Sequence, residues 1–248
     1  MPDPAPNPEL LRSLGRMVRG LSALFWGLPA ALIVGAGTAS AGWFNEFRFF
    51  GFVPSLATCS LLLYGLGQLD SFQRQERPWR NALDRARFFA LINLGLSPFL
   101  YWWNRVPEQA FFLGAIGVLI FSAMFFLFNL NSVLLRLGEM LPDETLRLDT
   151  RQFTRFNRRL LILLIVLGAS YVVASRIFHA RAAQFSNVPD FTDLTSLHVA
   201  FPAIGVEING MLVVWLVVCL LVLLPLAMTM ALVWKMKEVI LESVFGPK

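Results

Sequence analysis

Residues 110–136 read AFFLGAIGVLIFSAMFFLFNLNSVLLR. No charged side chain interrupts the run until Arg136 closes it. A helix needs about 20 mostly apolar residues to cross the hydrocarbon of a bilayer, so this stretch is long enough to span it. Its apolar residues do not alternate with polar ones, which argues against a barrel strand, and a helix satisfies its own backbone in lipid.

Five further stretches have the same character: residues 21–42, 52–69, 88–104, 160–180 and 210–234. Arg176 interrupts the fifth span of the chain near one end, where a long arginine stem can reach the headgroups. The chain is 56% hydrophobic and 15% charged, with a mean hydropathy of +0.62. A water-soluble surface cannot absorb that much apolar area. The expected fold is all-α: a polytopic integral membrane protein of six transmembrane helices, arranged as three hairpins.

Basic residues give the orientation. Arg12, Arg16 and Arg19 precede the first span. Arg74, Arg77, Arg80, Arg85 and Arg87 lie in the second gap, and Arg136, Arg147, Arg151, Arg155, Arg158 and Arg159 in the fourth. Lys235, Lys237 and Lys248 follow the last span. The alternate gaps hold only Arg48, Arg105, Arg176 and Arg181 out of 21 basic residues. The positive-inside rule therefore places both termini in the cytoplasm. Trp43, Tyr101, Trp102 and Trp103 at outer ends, with Trp26, Trp79 and Trp234 at inner ones, fit interfacial belts. The formal charge of +5 is accounted for by this cytoplasmic surface and its anionic lipid headgroups, without nucleic acid.

The organisation follows. Residues 1–20 form a proline-rich, partly disordered cytoplasmic leader. Residues 21–235 form the membrane domain, and residues 236–248 a cytoplasmic tail. Ala39-Ser40-Ala41 resembles a signal-peptidase site. The long charged region before it and the length of the apolar run argue against cleavage. In segment 70–87, Pro78 suits a first helical position, with Trp79, Ala82, Leu83 and Ala86 on one face. In segment 136–159, Pro142 ends one helix and Asp149 or Thr150 caps another, which carries Phe153, Phe156 and Leu160. Arg77, Arg80, Arg85, Arg151, Arg155, Arg158 and Arg159 on these amphipathic helices are candidates for contact with anionic lipid or a protein partner. The outer segment 182–209 is too apolar for a free loop, and a short interfacial helix from Asp190 or Thr192 to about Val199 is expected there. Leu14, Arg16 and Pro29 recur 69 residues later as Leu83, Arg85 and Pro98, and Gly67 recurs as Gly138. A duplicated hairpin would explain this, with chance similarity of apolar sequence as the competing account.

Polar residues inside the spans are the natural candidates for a site. Asn93, Asn129, Asn131 and Ser132 lie at similar depth. An Asn93 to Asn129 hydrogen bond between helices is the expected use of the pair. The alternative is a small inward-facing pocket completed by Tyr64, Gln68 and Arg136. Gly27, Ala31, Gly35 and Ala39 form a stripe of small residues along the first span, where another helix can approach closely. Pro29, Pro54, Pro98 and Pro225 can each kink a span.

No Asp, Glu or Lys lies at the middle of a span, which weighs against an ion-coupled carrier. His179 and His198 sit at the outer side, misplaced for haem ligation. With Asp190, Asp193 and Glu207 they match no established metal-ligand spacing. Cys59 and Cys219 fall within spans and act there as small hydrophobes. No phosphate-binding loop, activated serine or zinc-protease pattern is present. No catalytic residue, cofactor or metal is therefore expected. The first expectation is a non-catalytic subunit or scaffold of a membrane or envelope complex, touching membrane lipids and a protein partner or a second copy of itself. The alternative is a permease for a lipid or other apolar small molecule. Eighteen arginines against three lysines suit a bacterial inner membrane.

Overall fold

The computed structural model describes residues 8–41, 50–70, 72, 76–106, 109–140, 144–182, 198–201 and 206–245. Among them are six α-helices: α1 Pro8–Ala36, α2 Val53–Leu69, α3 Arg77–Arg105, α4 Ala110–Met140, α5 Glu144–Ala182 and α6 Gly210–Phe245. A π-helical turn, Gly37–Ala41, ends α1. A short antiparallel ribbon pairs β1 His198–Phe201 with β2 Val206–Asn209, His198 opposite Asn209.

Among the described residues, four helices are long and apolar enough to cross a membrane, over Arg12–Ala39, Ala110–Met140, Arg147–Ala174 and Cys219–Glu242. That is the composition of an integral membrane protein. Val53–Leu69 is apolar but shorter. α3 is long enough at 29 residues, and its first turns are basic.

The chain divides into two compact units. One comprises α1 to α4, α5 as far as Arg158 and α6 from Met228; the other comprises the rest of α5, the ribbon and the start of α6. In the first unit α1 packs on α2, α2 on α3 and α3 on α4. Each contact runs along a stripe at heptad-like spacing: Met17, Leu21, Leu24 and Leu28 are buried on α1. On α3 the buried residues are Trp79, Leu83, Ala86, Ala90, Asn93, Ser97 and Tyr101. Intervals of three and four keep such residues on one helix face.

The small-residue stripe divides. A Cβ on Gly27 would meet Leu62 Cδ2 at 2.8 Å, whereas one on Gly35 would meet nothing within 4 Å. The closest approach of α1 and α2 lies lower, where a Cβ on Gly20 would come within 2.8 Å of Gly65 O. The pairing of two glycines 45 positions apart lets the backbones meet.

Several expectations change. Asp149 and Thr150 do not cap a separate helix, because α5 runs unbroken from Glu144 to Ala182. Its sequence holds no proline, so the basic amphipathic turns and the apolar turns form one helix. Pro54 lies in the first turn of α2, where its missing N–H has no helical partner to lose, and only Pro29, Pro98 and Pro225 lie inside helices. His198 and Val199 belong to a strand rather than to the end of an interfacial helix. The remainder of that segment, 183–197, lies outside the described residues.

Candidate functional site

Asn131 of α4 is fully buried. Its Nδ2 donates to Leu127 O of its own helix at 2.8 Å and to Thr229 Oγ1 of α6 at 3.0 Å. Its Oδ1 accepts from Asn157 Nδ2 of α5 at 3.1 Å, and the same nitrogen lies 2.9 Å from Thr229 Oγ1. Asn157 and Thr229 are also 0% exposed. Three polar side chains from three helices thus close on one another in an apolar surround. Such a node is costly when incomplete and orients its helices when complete.

The other asparagines sit apart from this node. Two residues along a helix turn a side chain by about 200°, so Asn129 and Asn131 face opposite ways. Asn129 Nδ2 donates to Phe125 O at 2.7 Å, and Ser132 Oγ to Phe128 O at 3.2 Å, both within α4. The expected Asn93 to Asn129 bond is not formed at the Asn93 carbonyl: Asn93 Oδ1 is enclosed and has no hydrogen-bond partner among the described residues. Neighbouring Ser97 and Ser122 are buried and donate to Leu94 O and Phe89 O. Tyr64 is 51% exposed, and Arg136 is turned to the surface. The pocket envisaged from sequence is therefore distributed over different helix faces.

Charged residues gather around the node's basic end. Glu139 bridges Arg136 at 2.8 Å and Arg151 at 3.3 Å, and Lys235 meets Asp149 at 2.6 Å. The Arg158 guanidinium lies 4.5 Å from the centre of the Phe128 ring. These pairs join α4, α5 and α6 at the level where the apolar runs begin. On α3, Arg87 donates to Leu66 O at 3.2 Å and faces Asp70 at 3.4 Å, closing the C-terminus of α2. A cation there also complements the helix dipole. Arg77, Arg80 and Arg85, like Arg155 and Arg159, are exposed.

Thr229 and Gly20 carry packing that sequence reasoning passed over. A threonine in an apolar run ordinarily bonds its own helix, and only the register of α6 against α4 reveals its partner. At the other end of the first unit, Asn104 Nδ2 donates to Ala39 O in the π-turn at 3.0 Å, and Thr38 Oγ1 and Ser55 Oγ are 3.5 Å apart. The side chains of His179, His198, Asp190, Asp193 and Glu207 lie outside the described residues. Comparison with protein-family models, with curated proteins and with solved structures gives no match.

Proposed function

We propose that the chain is a non-catalytic, six-span protein of a bacterial inner membrane, with both termini in the cytoplasm, serving as a subunit or scaffold of a membrane or envelope complex. The observation that carries this reading is how its intramembrane polar groups are used. Asn131, Asn157 and Thr229 fasten one another, and Asn129 and Ser132 fasten their own helix. They serve architecture rather than a reacting group. The two hairpins α1–α2 and α3–α4, packed in series, support a crossing by α2 and α3 as well. The exposed arginines of α3 and α5 are the contact surfaces, for anionic headgroups and for a protein partner or a second copy.

The test is mass spectrometry of the protein extracted with its surrounding lipid under mild conditions. A stoichiometric protein partner or a defined homo-oligomer is the expected result. A lone monomer that moves a substrate across reconstituted vesicles would overturn the reading. That outcome would favour the second one, a permease for a lipid or other apolar molecule, for which the buried acceptor Asn93 Oδ1 is the supporting feature.

A further inference from the structure

Along the first turns of α5, Arg147, Thr150, Thr154 and Asn157 follow at intervals of three, four and three, and so share one helix face. Thr150 is 0% exposed and Thr154 1% exposed. The face is turned inward: a Cβ built on Gly138 of α4 would lie 3.1 Å from Thr150 Cγ2 and 3.3 Å from Met236 Cε of α6. The hydroxyls of both threonines, and Arg147 Nε, are enclosed and make no hydrogen bond among the described residues.

Elsewhere in this protein small hydroxyls solve the problem locally. Ser22, Thr38 and Ser132 each donate to the carbonyl four residues back. Thr150 and Thr154 do not take that route. Nor does packing require their oxygens. Shifted by 64 residues, the buried stripe Ala86, Ala90, Asn93, Ser97 of α3 becomes Thr150, Thr154, Asn157, Leu161 of α5, every residue buried. Alanine suffices at the first two positions in α3, and α5 replaces both with hydroxyls. Buried polar groups in native proteins are served by protein or by ordered water.

We propose that this face is a hydrated file and a binding site for water. It opens beside the Asp149–Lys235 bridge, runs past Thr150 and Thr154, and ends at the Asn131–Asn157–Thr229 node, about 10 Å deeper at the helical rise. The side chains along it beyond the mouth are neutral, which suits water over an ion. Water there keeps the node in exchange with the basic side of the protein, although the flanking helix faces are apolar.

Radiolytic hydroxyl-radical labelling of the wild-type protein in lipid vesicles tests this, because bound water generates radicals where bulk solvent does not reach. Met236 and Met17 are both 0% exposed, but only Met236 borders the file. Met236 is expected to be oxidised at least tenfold faster than Met17, and the Thr150→Val/Thr154→Val variant to lose that excess. Equal, slow oxidation of the two methionines in the wild type would overturn the proposal, as would an excess unchanged in the variant. A second measurement uses Thr150→Cys and Thr154→Cys in a Cys59→Ala/Cys219→Ala background, with a small cationic methanethiosulfonate. Both thiols should react at least a hundredfold faster than Leu134→Cys, Thr150→Cys ahead of Thr154→Cys. Rates equal to that of Leu134→Cys would reject the file.

Discussion

Gly20 and Gly65 meet backbone to backbone: a Cβ on the first would lie 2.8 Å from the carbonyl oxygen of the second, and a Cβ on the second 3.0 Å from that of the first. A backbone oxygen cannot swing aside as the tip of a long side chain can. Gly20→Ala or Gly65→Ala should therefore force α1 and α2 apart and cost about 1–3 kcal/mol. Gly35→Ala, with open space around the new methyl, should cost nothing. Unfolding in mixed micelles would measure all three, and an equal loss at Gly35 would contradict the assignment of the crossing point.

Asn131→Leu keeps the branched shape and heavy-atom count of the side chain and removes its three hydrogen bonds. The expected loss is about 1 kcal/mol, the usual scale for interhelical polar contacts in membranes. Asn129→Ala removes only a bond within its own helix, and should stay within about 0.5 kcal/mol. Asn131→Leu and Thr229→Val should be non-additive in a double-mutant cycle, as for residues in contact. Additive losses would mean the node does not act as a unit.

Lys235→Gln breaks the bridge to Asp149. Each side chain is about half exposed, 47% and 48%, so solvent screens the pair and the cost should not exceed about 1 kcal/mol. Raising the salt concentration should shrink the difference between wild type and variant. A larger, salt-independent loss would show that Lys235 acts through packing instead.

Arg85 and Arg105 sit on the same helix, near its opposite ends. In a cysteine-free background, Arg105→Cys should react with an impermeant maleimide on intact cells and Arg85→Cys should not. Inverted vesicles should reverse the result. Labelling of both from one side would mean that α3 does not cross, and the six-span reading would fail.

The long apolar runs made the six helices legible, because a segment such as 110–135 has one favourable conformation in lipid. What escaped reading depends on partners distant in the chain. The Gly20–Gly65 crossing was hidden because the conspicuous four-residue spacing of Gly27, Ala31, Gly35 and Ala39 marks smoothness, while contact depends on what lies opposite. Asn129 and Asn131 looked like one cluster in sequence, yet helical rotation separates them. The unbroken course of α5 was obscured because its first turns are basic and amphipathic and the turns that follow, from Leu160, are mostly apolar. Residues with excellent capping chemistry, Asp149 and Thr150, fall within it. The repeat suggested by Pro29 and Pro98 gains a geometric counterpart: α1 and α3 are both 29 residues long, their bounds differ by the same 69 positions, and Met17, Leu21, Leu24 and Leu28 bury where Ala86, Ala90, Asn93 and Ser97 do.

The node at Asn131 also sets an order of events at the ribosome. Asn157 follows Asn131 by 26 residues and Thr229 by 98. When α4 is made, the Asn131 amide can reach only Leu127 O of its own helix; Asn157 of α5 supplies its second partner and Thr229 of α6 its last. The packing of α1 on α2 and of α2 on α3 can form as those helices emerge, whereas the node that ties α4 to α5 and α6 closes only once Thr229 has been added. A chain that stops between residues 157 and 229 would keep the Asn131–Asn157 bond and leave both amides without the Thr229 hydroxyl they share.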